Sequence, residues 1–403
     1  MNILSQKQLQ NFLSKNGFYN FQKLNYLPKL RHQIKKALSI TSPTNFTLPF
    51  LPINTPNHFV LMELGGTYLR ISEHHQGKVR HSQSLPFYQK KIYTPDLLCQ
   101  DLCKHLKKFL TPTPADNPEL ILVIANALHS KLIKKEIHGT LLFFGKNHQE
   151  KGLLGTDLQP VLQKHLRQNK LNFSRLHLVN DTVISTLSAY TDQHFTSPSA
   201  PTIITLIVGT GVNLSLALPK KQKIFLANLE MGDFNFLQKS VFDRKLDADS
   251  LIPRRFLTEK ILSGAWTIQL YKIILNELHQ SKLFPTKNFL QKIKQTGPAE
   301  LEKYFQNSLS PEEQIYQQIW TEIHNRGAFV NALISSQFIK ILKPKNRPLL
   351  LLTGSLLEHP TYYQQRLLYH LDQFCQQYRI EKPKIAKIPP SSLEGAKILL
   401  KVA

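Results

Sequence analysis

The amino-acid sequence predicts an α/β fold of two lobes facing each other across a cleft. Its 403 residues exceed what one typical core holds. A series of three apolar strands followed by helices begins at Phe59 and begins again at Pro201. Two glycine turns, each beside a threonine, join apolar strands at Gly65-Gly66-Thr67 and Gly209-Thr210-Gly211. Only 16 glycines occur in the chain, so their pairing in two such turns points beyond plain turn chemistry.

The elements follow in order. Gln6–Lys15 reads as a helix, and Pro28–Ile40 as a second with Leu30, Ile34, Ala37 and Leu38 on one face. Ser42-Pro43-Thr44 and Thr55-Pro56-Asn57 punctuate the approach to the first strand. Strands run from Phe59 to about Leu85 with a turn at Gln76-Gly77. Thr94-Pro95-Asp96 starts a helix, Thr94–Leu110, and Thr111-Pro112-Thr113-Pro114 is a loop. Glu119–Ala125 is a buried strand, and the helix Asp157–Arg167 feeds the strand Leu176–Val179. This order of elements is that of an actin-like (ribonuclease H-like) half-domain. Thr202–Val208, Asn213–Leu218 and Ile224–Leu229 restart the pattern. Long helices follow, among them Pro311–Leu342, then a strand Pro348–Thr353 and a helix Thr361–Gln377. The tail Leu393–Val402 is apolar and helix-prone.

Composition removes several function classes. Hydrophobic residues make up 41% of the chain, enough for ordinary cores, and the longest apolar runs are strand-sized, far below a membrane span. Met1-Asn2-Ile3-Leu4-Ser5-Gln6-Lys7 lacks the apolar stretch of a signal peptide. Cys99 and Cys103 have helical spacing with no partner to complete a metal site, so they and Cys375 read as buried, reduced thiols. A soluble cytoplasmic protein without a membrane partner is expected. The net charge of +24, from 51 basic and 27 acidic residues, would suit nucleic acid. The basic residues are scattered, however, and their clusters are as short as Lys90-Lys91 and Lys220-Lys221-Gln222-Lys223. Nucleic acid is therefore not expected. A basic proteome, or attraction to anionic nucleotides and sugar phosphates, accounts for the charge.

The chemistry concentrates in three segments. Leu178-Val179-Asn180-Asp181-Thr182 puts a carboxylate at the carboxyl end of an apolar strand. Phe59–Ile71 and Val208–Asn213 hold the glycine turns, whose backbone N–H groups can approach phosphate while Thr67 and Thr210 add donors. A carboxylate beside phosphate-holding loops points to phosphoryl transfer onto a hydroxyl, which needs positioning, a base and charge neutralisation. Asp181 is the candidate base; the plainer alternative is a cap on the helix Thr182–Ala189. Asn180, Asn213, Glu230, Glu259 and Lys146 offer the mixed amides and charges that suit sugar hydroxyls. A lone Glu is otherwise usually a surface acid.

Taken together these residues resemble the hexokinase family of ATP-dependent sugar kinases with an actin-like fold. Leu64-Gly65-Gly66-Thr67 with Arg70 is similar to the family's first phosphate turn. Lys146 and the following Gly152–Asp157 resemble its sugar-site loop, and Asn180-Asp181-Thr182-Val183 its catalytic segment. Ile207–Asn213 resembles the second phosphate turn. Asn228–Gly232, Phe242–Asp247 and Glu259–Gly264 follow in the family's order, and Gly354-Ser355-Leu356 resembles its late nucleotide-site turn.

The resemblance implies ATP and Mg2+ as cofactors and a hexose, glucose first, as substrate. It implies Asp181 and Arg70 as catalytic residues. It implies Lys146, Asn180, Asn213, Glu230 and Glu259 around the sugar. Gly65, Gly66, Thr67, Gly209, Thr210, Gly211, Gly354 and Ser355 would hold the nucleotide, and Glu63 would hold magnesium through water. The implied lobes are 59–180, and 1–58 with 181–390, with the helix 391–403 packing back on the first. The chain departs from the pattern at Glu63, Tyr68, Gly145 and Thr353, where the family carries Asp, Asn, Thr and Asp. Val123–Leu128 stands where a Ser-Phe-Pro segment contacts sugar. The phosphate machinery and base are thus largely present, while part of the sugar ring is rewritten. A catalytically weakened homologue acting as a sugar-binding regulator is the alternative.

Overall fold

Uninterrupted apolar runs such as Glu119–Ile124 become strands covered on both faces, and amphipathic runs become the helices that cover them. The computed structural model describes residues 4–39, 42, 44–49, 58–65, 68–87, 92–110, 116–143, 149–191, 200–220, 223–284, 286–293, 296–307, 309–357, 362–386 and 391–402.

The chain begins with α1 (Gln6–Lys15), opened by a capping box in which Ser5 N donates to Gln8 Oε1 and Gln8 N to Ser5 Oγ. A 3-10 turn (Phe18–Lys23), α2 (Leu27–Ala37) and β1 (Phe46–Pro49) follow. The first sheet is built from β2 (His58–Leu64), β3 (Tyr68–His75) and β4 (Lys78–Pro86), later joined by β6 and β10. Between them come β5 (Ile92–Tyr93), α3 (Pro95–Phe109), β6 (Glu119–Ile124), the hairpin β7 (Leu128–Ile133) and β8 (Glu136–Leu141), β9 (Gln149–Glu150) and α4 (Leu158–Gln168). The strand β10 (Leu176–Asn180) runs directly into α5 (Asp181–Leu187). The sheet order is β10-β6-β2-β3-β4; β10, β6 and β2 are parallel and β3 and β4 antiparallel.

The second sheet begins with β11 (Ile203–Val208), β12 (Val212–Lys220) and β13 (Lys223–Asn228). A helical region follows: α6 (Val241–Ala248), α7 (Leu257–Leu262), α8 (Gly264–Gln280), α9 (Lys287–Lys292), α10 (Pro298–Phe305) and α11 (Pro311–Leu342). Then come β14 (Leu349–Thr353), α12 (Tyr362–Tyr378), β15 (Lys384–Ala386) and α13 (Ser392–Val402). The order is β1-β13-β12-β11-β14-β15, so β1, from the N-terminal segment, forms one edge.

Each sheet has its own outer core. Met62, Leu122, Leu178, Leu102 and Leu162 build that of the first sheet with α3 and α4. Leu206, Leu214, Leu350, Leu333 and Leu371 build that of the second with α11 and α12. A shared core lies between the sheets, where Leu61, Val123 and Val179 meet Ile203, Ala217 and Leu351. Val183 and Ile184 of α5, and Ala396 and Leu399 of α13, fill it from between. Among the described residues no helix is long and apolar enough to cross a membrane.

Candidate active site

The strand β10 ends at Asn180, which caps α5. Asn180 Oδ1 accepts from Thr182 N (2.9 Å) and Val183 N (3.3 Å), and its Nδ2 donates to Asn126 O (3.1 Å). The cap is therefore Asn180, and Asp181 is the first helical residue, where the helix N-terminus favours negative charge. Asp181 Oδ1 accepts from Thr182 N (2.7 Å) and Thr182 Oγ1 (3.2 Å), and the residue is half-buried.

From Thr182 a line of hydrogen bonds crosses to the second sheet. Asn213 Nδ2 donates to Thr182 Oγ1 (3.2 Å) and to Asn228 Oδ1 (2.8 Å). Asn228 Nδ2 donates to Glu230 Oε1 (2.6 Å), and Ser215 Oγ donates to Thr182 O (3.0 Å). Glu230 sits in the left-handed region (φ 47°), a rare conformation for a non-glycine residue and one met at functional sites. Burial, then the charge of Asp181, raises its carboxyl from 4.5 to about 8; the Asn228 hydrogen bond opposes this and Glu259 and Asp233 add to it. Glu230 thus lies within electrostatic reach of both Asp181 and Glu259. Thr182 and Asn228, which link these groups, escaped the sequence reading as site residues.

Glu259, half-buried on α7, lies against the second glycine turn, its Oε2 3.0 Å from where a Cβ on Gly211 would stand. In that turn Gly209 N donates to Gly211 O (2.9 Å), and Gly264 N at the start of α8 donates to Gly209 O (2.7 Å). The late turn abuts it: Leu356 N donates to Val208 O (3.1 Å), and Ser355 N is 3.4 Å from the Cβ position of Gly209. Gly354 has φ +96°, and a Cβ there would stand 2.5 Å from Val208 O, so this approach requires glycine. Thr210 and Ser355 are exposed at the surface of this cradle.

The first glycine turn connects β2 to β3. Gly65 N donates to Tyr68 O (3.0 Å); half-buried Glu63 stands opposite exposed Arg70 in the β2–β3 register, a cross-strand pair of opposite charge. Gly66, Thr67, Gly145 and Lys146 lie outside the described residues. The structure therefore brings Asn180, Asp181, Asn213, Glu230 and Glu259 together with Gly209, Thr210, Gly211, Gly354 and Ser355. Glu63, Gly65 and Arg70 are set at the end of β2 and the start of β3.

The segment before α7 is pinned. Buried Lys260 donates to Asp247 Oδ1 (2.6 Å) and Ile252 O (2.9 Å), and Asp247 Oδ1 also accepts from Arg254 N (2.9 Å). Arg255 reaches Asp233 with two bonds of 3.3 Å, and Phe256 N donates to Asp233 Oδ1 (3.2 Å). Phe256 packs on Phe143, which follows β8 of the other lobe, with ring centroids 3.9 Å apart. A cleft of about 600 Å³ opens beside Thr210 and Glu259 along α8.

Two sheets enclosing α5 and α13, with glycine turns and carboxylates where the strands end between them, define the two-lobed actin-like class. A family model described as hexokinase matches residues 203–402. Hexokinase-1 of Saccharomyces cerevisiae is 24% identical over 65% of this chain and 58% of its own length. The hexokinase of Schistosoma mansoni is 27% identical over 58% and 56%. The chain thus aligns with little more than half the length of these curated relatives. The structure of the Schistosoma mansoni hexokinase complexed with glucose superposes with a TM-score of 0.74 at 19% identity, covering 98% of this chain and 99% of that one. A second hexokinase crystal structure gives 0.60 at 17% identity, covering 99% and 96%. At those identities the superpositions speak to the fold. In sequence over residues 203–402, and in fold over nearly its whole length, the chain is similar to hexokinases.

Proposed function

We propose that this chain is an ATP-dependent sugar kinase of hexokinase type, transferring the γ-phosphate of ATP to the 6-hydroxyl of a hexose, with glucose the first candidate. The observation that carries the reading is the hydrogen-bonded line from Asp181 through Thr182, Asn213 and Asn228 to Glu230. It supports the reading because carboxylates and amides share one polar line beside a glycine cradle, an arrangement that suits phosphoryl transfer to a polyol. Asp181 accepts the proton of the 6-hydroxyl as its oxygen bonds to the γ-phosphorus and the bond to the β-phosphate oxygen breaks, leaving ADP. Asn180, Asn213, Glu230, Glu259 and Lys146 orient the sugar. Glu230, held largely protonated at neutral pH, can donate to a sugar hydroxyl while accepting from Asn228.

The second glycine turn, locked against Gly354 and Ser355, fits a phosphate chain because backbone approaches there that a Cβ would fill. The first turn, Gly65, Gly66 and Thr67, would face the other side of the nucleotide, with Arg70 neutralising charge. Glu63, a half-buried carboxylate at the end of β2, suits a magnesium ion held mainly by phosphates and water. Such an ion would neutralise the triphosphate. The moving lobes would be 59–180, and 1–58 with 181–390, with 391–403 packing back on the first; their closure would exclude water. Three buried free cysteines suit a reducing cytoplasm.

The test is Asp181→Asn, with turnover and glucose affinity measured on both forms. The variant should bind glucose nearly as well and lose roughly 10²–10⁴-fold in kcat, the usual contribution of a general base. Near-wild-type turnover would remove Asp181 from that role. Hexose binding with no turnover in the unaltered protein would make it a sugar-binding regulator.

A further inference from the structure

We propose that Asn45, in the segment between α2 and β1, is a positioning residue for the sugar: through Asn228 it sets where the Glu230 carboxyl meets the hexose. The proposal rests on the sugar-kinase reading and deepens it. Glu230 Oε1 accepts from Asn228 Nδ2 (2.6 Å), and Asn228 Oδ1 accepts from Asn213 Nδ2 (2.8 Å). A carboxamide that donates at one end and accepts at the other has a fixed orientation. Where it stands is then decided by its own backbone, and that is what the N-terminal segment holds.

Asn228 is the last residue of β13 and lies past the end of β1. Phe46 pairs with Leu226, so continuing that antiparallel register would set Thr44 opposite Asn228. Side chains there take the place of a backbone ladder. Asn228 N donates to Asn45 Oδ1 (3.2 Å), and Thr44 Oγ1 donates to Asn228 O (2.7 Å). All three residues are buried. Asn45 Nδ2 in turn donates to Ala37 O and Ser39 O, at 2.7 Å each, and so ties the clamp to the end of α2. That helix is itself anchored: Leu30 and Ile34 lie in the core of the second sheet, and Arg31 Nε donates to Gln337 Oε1 of α11 (2.7 Å). The path thus runs from α11 through α2, Asn45 and Asn228 to Glu230. The second glycine turn is held separately, by Gly209 N to Gly211 O and Gly264 N to Gly209 O. Loss of Asn45 is therefore felt by the sugar and not by the nucleotide.

The test compares the unaltered protein with Asn45→Ala, which removes the bridge, and Thr44→Val, which removes the second bond to Asn228 at nearly constant size. Steady-state kinetics and calorimetric titration are run well below the melting temperatures, with glucose and with deoxyglucoses lacking in turn each hydroxyl other than the 6-hydroxyl. Each variant should raise the KM for glucose roughly threefold to tenfold, the scale of one net hydrogen bond, and leave the KM for ATP unchanged. Glu230→Gln identifies the hydroxyl that Glu230 holds, as the one whose deoxy analogue binds both forms alike. That same analogue should bind Asn45→Ala and the unaltered protein alike. An equal loss for every analogue, an equal rise in the KM for ATP, or a lower melting temperature with no change in the KM for glucose would overturn the positioning role and leave the kinase reading standing. Should Asn45→Ala not fold, Thr44→Val decides by the same comparison. Hexose binding without turnover in the unaltered protein would overturn the kinase reading alone, with the calorimetric series still deciding the role of Asn45. Absence of hexose binding altogether would overturn both.

Discussion

At the scale of single residues, the electrostatics of the cleft are set by carboxylates that share one polar line. Glu230 is raised to about 8 from an ordinary 4.5, first by burial and next by Asp181. The folded chain therefore binds a proton there that the unfolded chain releases between those values. This stabilising contribution is complete below about pH 4.5 and is lost as pH rises through about 8. Glu230→Gln, which cannot ionise, should flatten the fall in melting temperature between about pH 5 and pH 8. Thermal unfolding of both forms across that range checks it; parallel curves would mean that Glu230 carries its charge in the fold. Asp181 was legible because a strand-end Asn-Asp-Thr precedes a helix. Glu230 and Glu259 stood in the sequence only as candidates against the plainer reading of surface acids, since a glutamate in sequence carries no sign of burial. Thr182 and Asn228 were not legible as site residues, because their part depends on side-chain bonds joining three separate segments.

At the scale of elements, α5 is positioned by what packs on it. α13 crosses it so closely that a Cβ on Gly395 would stand 1.8 Å from Ile184 O. Gly395→Ala must push the two helices apart, an overpacking that typically costs about 1–3 kcal/mol. The displaced helix begins with Asp181, so the variant should lose both melting temperature and kcat. Unchanged unfolding and turnover would show that the contact relaxes without effect. A second brace is the buried pair of Arg326 on α11 with Asp243 on α6, bonded at 2.9 and 2.6 Å. Burial opposes the Asp243 charge, but Arg326 and Ser240 outweigh it and hold the carboxyl below its ordinary value. Arg326→Leu should cost about 3–5 kcal/mol by stranding that charge, measurable by denaturant unfolding. Legibility at this scale followed the caps. α1 and α11 have the bounds expected from sequence, and each starts with a Ser answered three residues on by Gln8 or Glu313. β1 is four residues ending in proline and forms only by pairing with β13. The β7–β8 hairpin turns on Lys134 and Lys135, both at positive φ, without the glycine that marks such turns.

At the scale of the whole molecule, the repeat of three strands and helices made two lobes legible, and the shared core explains why they form one body. Leu61 and Val179 of one sheet and Ala217 and Leu351 of the other bury against the same two helices. The contact at the cleft mouth could not be read from sequence, because nothing local marks Phe143 and Phe256 as partners. Phe256 is held at φ 51° by Asp233, which accepts its N–H and binds Arg255, so its ring is fixed before it meets Phe143 across the cleft. Phe256 adjoins a group assigned to the sugar, since Glu259 lies three residues beyond it on α7, and Phe143, which follows β8, lines the same cleft. If the contact favours the closed arrangement of the lobes, either substitution, Phe143→Ala or Phe256→Ala, should weaken hexose binding. The double variant should then be little worse than the singles, because each already removes the pair. The coupling energy for an aromatic pair of this kind is about 0.5–1.5 kcal/mol. Calorimetric titration of the four proteins with glucose reads it directly. Strictly additive losses would mean that the two rings act on the sugar separately, and that the lobes close without the help of this contact.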